Sequence, residues 1–153
     1  MKNVFLILVT IWLFNSCYTA PMSNVAPNVD LNKYSFAAIG TKTTGNNIVL
    51  TDAHMKIQNT LLSYGYNVII DSRISALDLE DRSRLFYVEF SISSTVDESI
   101  YLIYLTDYLS GNIIATFKGS FGFGWNIAGD QRGAIDSAIK QMLNVLPNKN
   151  ING

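Results

Sequence analysis

Cysteine and histidine are nearly missing from this 153-residue chain, which has one of each. A single Cys excludes an intramolecular disulfide framework and a Cys-rich zinc site. A single His leaves little material for His-based catalysis. Charge is also scarce: 15% of residues are charged, and 11 Lys+Arg against 12 Asp+Glu give a formal net charge of -1. A nucleic-acid partner would need a basic face, so none is expected. No residue cluster asks for a cofactor or a metal. What the chain does have is apolar residues, at 48%, enough to build a core and to make wholesale disorder implausible. Its length fits one domain and not comfortably two.

Part of that apolar content sits at the amino end. Met1-Lys2-Asn3 is followed by Val4 to Phe14, with Thr10 as the one polar interruption. A single early Lys and an apolar stretch of about 11 residues make a secretory signal; a membrane-spanning helix needs roughly 20. Cleavage after Ala20 would put Tyr18 at the -3 position, which prefers a small residue, and Pro21 just after the scissile bond, and both are poor. The lone Cys instead follows the apolar stretch directly, in Leu13-Phe14-Asn15-Ser16-Cys17. This resembles the lipobox of bacterial lipoproteins, in the relaxed form of Bacteroidetes-like bacteria. The resemblance implies removal of residues 1–16 and lipidation of Cys17, which then carries two or three acyl chains. Each buried methylene contributes about 0.8 kcal/mol, and more than one chain is needed for stable anchoring. A plain cleaved signal with an incidental Cys is the alternative. By resemblance to lipoproteins of well-studied envelopes, where Asp at that place favours inner-membrane retention, Tyr18 leans toward the outer membrane, and the absence of the acidic run of surface-exported lipoproteins favours a face turned to the periplasm.

Residues 17–32, with Pro21, Pro27 and several Asn, read as the lipidated Cys and a flexible tether. A single domain is expected over 33–148, with 149–153 as a tail. Tyr34 to Ile39 reads as a strand ended by Gly40, and Thr41 to Asn47 as a loop. Thr51 or Asp52 can cap a helix carrying Ala53, Ile57, Leu61 and Leu62 on one stripe, with Gly65 at its end. Val68 to Ile70 is a short apolar stretch of strand. Ser72 to Arg84 is charged and reads as a loop or one helical turn. In Leu85 to Ser93 apolar and polar residues alternate, the mark of a strand with one buried face. Ile100 to Leu105 is apolar on both faces, as in a central strand. Asp107 to Asn112 is a turn, and Ile113 to Phe121 the next strand. Asp130 can cap a last helix with Ile135, Ala138, Ile139, Met142, Leu143 and Leu146 at helical spacing, ended by Pro147. The principal elements then run β-α-β-β-β-α. That order gives an α+β two-layer sandwich, a mostly antiparallel sheet with two helices on one face.

Candidate sites are few. His54 has no nucleophile marked for it, and Asp52, two residues away, points elsewhere on the helix; a surface helix position is expected. Asp78, Glu80 and Asp81 lack the spacing of an EF-hand, and Arg73, Arg82 and Arg84 neutralise them. The run Gly119-Ser120-Phe121-Gly122-Phe123-Gly124-Trp125 has neither the Lys-Ser/Thr of a phosphate loop nor the dinucleotide spacing. It reads as a strand end where Gly permits close backbone approach. Late aromatics are the least ordinary feature, because Tyr and Trp combine contact area with a polar handle. Phe123, Trp125 and Tyr108 are the candidates for contacting a ligand or partner.

Taken together, the Lys33-Tyr34 strand, the helix ending Leu61-Leu62-Ser63-Tyr64-Gly65-Tyr66, the turn from Leu105 to Asn112 and the closing Met142 to Pro147 resemble a group of small bacterial lipoproteins. These are known as a domain-of-unknown-function family with a broad likeness to the N-terminal domain of TolB. The resemblance supplies no catalytic residues. The lipobox together with the absence of a catalytic set leads to the expectation of a non-enzymatic binding or assembly module of the cell envelope, held to the membrane by lipid and meeting an envelope protein. A sugar- or lipid-binding lipoprotein using the late aromatics is the alternative. A hydrolase built on His54 is the remotest.

Overall fold

The computed structural model describes residues 19–40, 48–122 and 126–151. Alternation in the middle of the sequence builds the centre of the sheet. In β4 (Leu85–Ser94) Phe86, Val88 and Phe90 are buried while Glu89 and Ser91 are exposed. β5 (Ser99–Asp107) pairs antiparallel with β4 along its whole length, and with β6 (Ile113–Phe121) on its other side. β5 is therefore an interior strand, as its two apolar faces predict. A register shift at Leu105/Thr106 marks a bulge opposite Ile114.

Three shorter strands complete a six-stranded sheet in the order β1-β6-β5-β4-β2-β3. β2 (Phe36–Ile39) lies parallel to both β4 and β3 (Asn67–Ile69). β1 (Met22–Val25) pairs antiparallel with β6. The α+β architecture is as expected, and the short strand read at Val68 is present as β3. The strand not expected, β1, lies inside residues 17–32. That stretch is not a free tether along its length: Met22 to Val25 complete the β6 edge, and a 3-10 turn follows at Leu31–Lys33. An edge strand of four residues draws its register from its partner rather than from its own pattern.

Two helices cover one face. α1 (Ile48–Ser63) buries Val49, Ala53, Ile57 and Leu61. It starts before Thr51 and Asp52, which lie within its first turns rather than at its cap. Its end follows the expectation: Gly65, at φ 81°, lets Tyr66 N donate to Leu61 O and Gly65 N to Leu62 O. α3 (Ile127–Leu143) buries Ala134, Ile135, Ala138, Ile139 and Met142. Full burial of such a side chain as Ile57 or Leu61 contributes about 1.5–3 kcal/mol. The cap of α3 is Asn126, whose side-chain oxygen accepts from Gly129 N at 2.7 Å. Asp130, expected there, sits one turn further in and is buried. α3 packs so closely that a Cβ on Gly119 would overlap the backbone of Ala134 and Ala138.

The opposite face is covered in part. The stretch read as a loop or one helical turn forms a 3-10 turn (Asp71–Ala76) and the short helix α2 (Leu79–Ser83). Ile74 packs there with Ala38 and Leu85, joined by Phe36, Ile69, Leu77 and Tyr87. No helix among the described residues is long and apolar enough to cross a membrane.

Candidate functional site

Each predicted site residue has a definite status. Cys17, Phe123 and Trp125 lie outside the described residues. Tyr108 is exposed on the turn between β5 and β6, its N–H donating to Leu85 O at 3.1 Å. It stands at the opposite end of β6 from Phe121, the residue that leads toward Phe123 and Trp125. The acidic group Asp78, Glu80 and Asp81 serves α2. Asp78 caps the helix by accepting from Asp81 N at 2.7 Å, and Arg84 pairs with Asp81 at 2.6 Å. Among the described residues no three His, Cys, Asp or Glu side chains come together as a metal site.

The described chain begins two residues after Cys17, and Thr19 is already fastened. Its N–H and hydroxyl both donate to the Glu98 carboxylate, at 3.0 and 2.6 Å, and its carbonyl accepts from the Ser120 hydroxyl. The Thr19 hydroxyl is the main cause that holds the Glu98 carboxyl below its ordinary range. Glu98 sits at the start of β5, beside the β4–β5 hairpin tip.

At the other end of β5 the Asp107 carboxylate gathers three donors. Oδ2 accepts from Lys33 Nζ at 3.0 Å and from Tyr34 Oη at 2.8 Å; Oδ1 accepts from Ser110 N at 2.9 Å. Burial pushes this carboxyl up, but the Ser110 N–H, the Lys33 ammonium and the Tyr34 hydroxyl together outweigh it and hold the group far below the carboxylate range. Every oxygen has a partner, and the partners tie the turn at 107–112 to the segment entering β2. This is a structural joint.

A different arrangement lies at the carboxyl ends of β2 and β3. A cavity of about 70 Å³ opens there between α1 and the sheet, walled by Ile39, Val68, Ile69 and Ile70. His54, Gln58 and Asp71 complete its lining. His54 is half-buried, not a surface residue as its sequence position suggests, and its ring stands edge-on to Phe90 at 6.4 Å. Phe90 in turn stacks on Tyr101 at 5.7 Å. His54 Nδ1 is shielded from solvent and has no hydrogen-bond partner. Asp71 Oδ2 accepts from Tyr87 Oη at 2.7 Å, while Asp71 Oδ1 is shielded and unpartnered. Burial, then the Asp71 contact, pushes the Tyr87 hydroxyl up to about 12, so it stays a donor. Sequence reasoning passed over Asp71 altogether. The one legible signal was the position of both residues next to strand and helix ends of a β-α-β unit, where open α/β sheets hold ligands.

No family model matches the chain, and no curated protein matches it. Among solved structures the chain is similar to the PelC dodecamer from Paraburkholderia phytofirmans in two crystal forms. One, a leucine-to-methionine variant in space group C2, has 16% identity and a TM-score of 0.49, over 84% of this chain and 99% of that one. The other, in space group P6, has 16% identity and a TM-score of 0.47, over 85% and 99%. Residue roles do not carry over at this identity.

Proposed function

We propose that the chain is a lipid-anchored protein of the cell envelope, on the outer membrane and facing the periplasm, acting as a non-enzymatic binding or assembly module. The observation that carries the reading is the position of Cys17. It follows the apolar segment directly, and it precedes by two residues a Thr19 that is hydrogen-bonded to Glu98 and Ser120. A diacyl or triacyl group on Cys17 would hold the domain close against the bilayer, on a leash of very few residues rather than the long tether the prolines suggested. The likeness to lipoproteins of a domain-of-unknown-function family agrees with this role.

The partner expected is another envelope protein. The part of the sheet left open by the 3-10 turn and α2 presents Ile100, Leu102 and Tyr104, half-buried, beside an exposed Met22. Among the described residues no helix covers that area.

Metabolic labelling with a clickable fatty acid tests the anchor. Wild type takes up label and Cys17→Ser does not. An unlabelled wild type, or label that persists on Cys17→Ser, overturns the reading.

A further inference from the structure

We infer that the end of the sheet from which the chain leaves toward Cys17 is a bilayer-contacting surface, where Ile48, Val96, Phe121 and Ile127 meet phospholipid and hold the strands upright on the membrane. The inference rests on the lipid anchor at Cys17 and adds to it an orientation and a second contact, made by the protein itself.

Topology gathers these four exposed side chains. β4 ends at Ser94 opposite Ser99, the first residue of β5, and Ser99 in turn pairs with Phe121, the last residue of β6. Val96, 94% exposed, lies on the hairpin tip between β4 and β5. Ile127 opens α3, and one turn later Gln131 donates to the Ser94 hydroxyl at 3.1 Å, so Ile127 stands level with that tip. α1 runs in the same direction as α3. Lys56 pairs with Asp136, and Asp52 and Arg132, each one turn earlier, wall one cleft with them. A rise of about 1.5 Å per residue puts Ile48 about 9 Å beyond His54. His54 meets Phe90, and at about 3.3 Å per residue Ser93 lies about 10 Å beyond Phe90. Ile48, 73% exposed, is thus level with the end of β4.

The leash decides which end of the domain faces the bilayer. The opposite end exposes apolar side chains too, Leu62, Leu109 and Ile113 among them. Thr19, however, is bound to Glu98 and Ser120 at the Val96 end. Two residues of extended chain span at most about 7 Å, the depth of one headgroup layer, about 5–8 Å. An acylated Cys17 sits where the acyl chains begin, so Thr19 and the residues that hold it cannot rise clear of the headgroups. Lying on the helices would set the exposed Asp52, Lys56, Arg132 and Asp136 against the lipid. Standing on the strand ends sets four apolar side chains there instead, at the boundary of headgroups and acyl chains where interfacial segments bury theirs. Asp97, exposed beside Val96, keeps the tip at headgroup depth, since a charge taken deeper would lose its water. In this orientation the open part of the sheet, with Leu102 and Tyr104, turns sideways along the membrane, toward neighbouring envelope proteins.

The test uses the protein purified from membranes, with acylation read first from its intact mass. Val96→Cys, Ile127→Cys and Leu109→Cys are each labelled with a nitrobenzoxadiazole probe; an acylated Cys17 has no thiol to react. All three sites are exposed, so the substitutions spare the core. In phosphatidylcholine vesicles the probes at 96 and 127 should emit to the blue of the probe at 109. A lipid with a nitroxide headgroup should quench them at least about twofold more strongly than the probe at 109. Hydrogen exchange of the unlabelled wild type repeats the test without a substitution in the domain. Relative to Cys17→Ser in buffer, the amides of 94–99 should slow in vesicles and those of 107–113 should not. An unacylated protein overturns the anchor and the surface with it. An acylated protein whose three probes behave alike, whose probe at 109 is the more quenched, or whose exchange at 94–99 is unchanged overturns the surface and leaves the anchor standing.

Discussion

Two aspartates at the ends of strands show how differently one side chain can be used. Asp107, at the end of β5, is buried with both oxygens engaged by Lys33, Tyr34 and Ser110. Asp71, just after β3, has one oxygen on Tyr87 and the other shielded with no partner. The first arrangement is complete in the protein alone, so its value is to the fold. The second leaves one oxygen without a donor, so the fold draws less from it. A carboxylate's position at a strand end by itself says little; the tally of its donors shows how much of the fold hangs on it.

The comparison can be broken at several points. The largest effect is expected from Asp107→Ala. It leaves the buried Tyr34 hydroxyl and the Lys33 ammonium without their acceptor and removes the Ser110 anchor of the turn. A loss of about 3 kcal/mol follows, read as a lower urea midpoint. Tyr34→Phe removes one donor of the same group and leaves the others, so about 1 kcal/mol is expected from the same measurement.

Acid acts on the same joint. The folded carboxyl of Asp107 titrates below the ordinary aspartate value of about 3.9. Its stabilisation is therefore full above the unfolded value and is lost as pH falls through the folded one. The urea midpoint of wild type should drop below about pH 4 more steeply than that of Asp107→Asn. Parallel curves would remove Asp107 as a source of the pH dependence.

Lys33→Met should cost under about 1 kcal/mol, because the Lys33 side chain is 48% exposed and its charge is screened.

The sequence made some of this readable and hid the rest for physical reasons. Local rules were legible. Gly65 ends α1 through the backbone bonds that a left-handed residue allows, and Ser110-Gly111-Asn112 turns with Gly111 at φ 69°. The alternation from Phe86 to Ile92 and the apolar stripe of α3 also came through, since one residue's face predicts the next. Hidden features depend on distant partners. β1 exists because β6 offers an edge to Met22 through Val25, whose own sequence flanked by Pro21 and Pro27 looks unstructured. The Lys33–Asp107 pair spans 74 positions. His54 looked like a surface residue because Phe90, the ring that positions it, comes from β4 on the far side of the β3 connection. Asp130 looked like a cap because Asp is a good one. Asn126, one turn earlier, occupies the position instead, and that choice becomes visible only with the bond to Gly129 N.

The difference between the two aspartates is tested most directly by urea unfolding of Asp107→Asn and Asp71→Asn beside wild type, at neutral pH. The account predicts that Asp107→Asn loses about 2 kcal/mol or more, since an amide replaces a charge that three donors face. It predicts that Asp71→Asn stays within about 0.5 kcal/mol of wild type, since an amide oxygen keeps the Tyr87 contact and the other oxygen has no donor to lose. Equal losses in the two variants would contradict it and make Asp71 one more structural carboxylate.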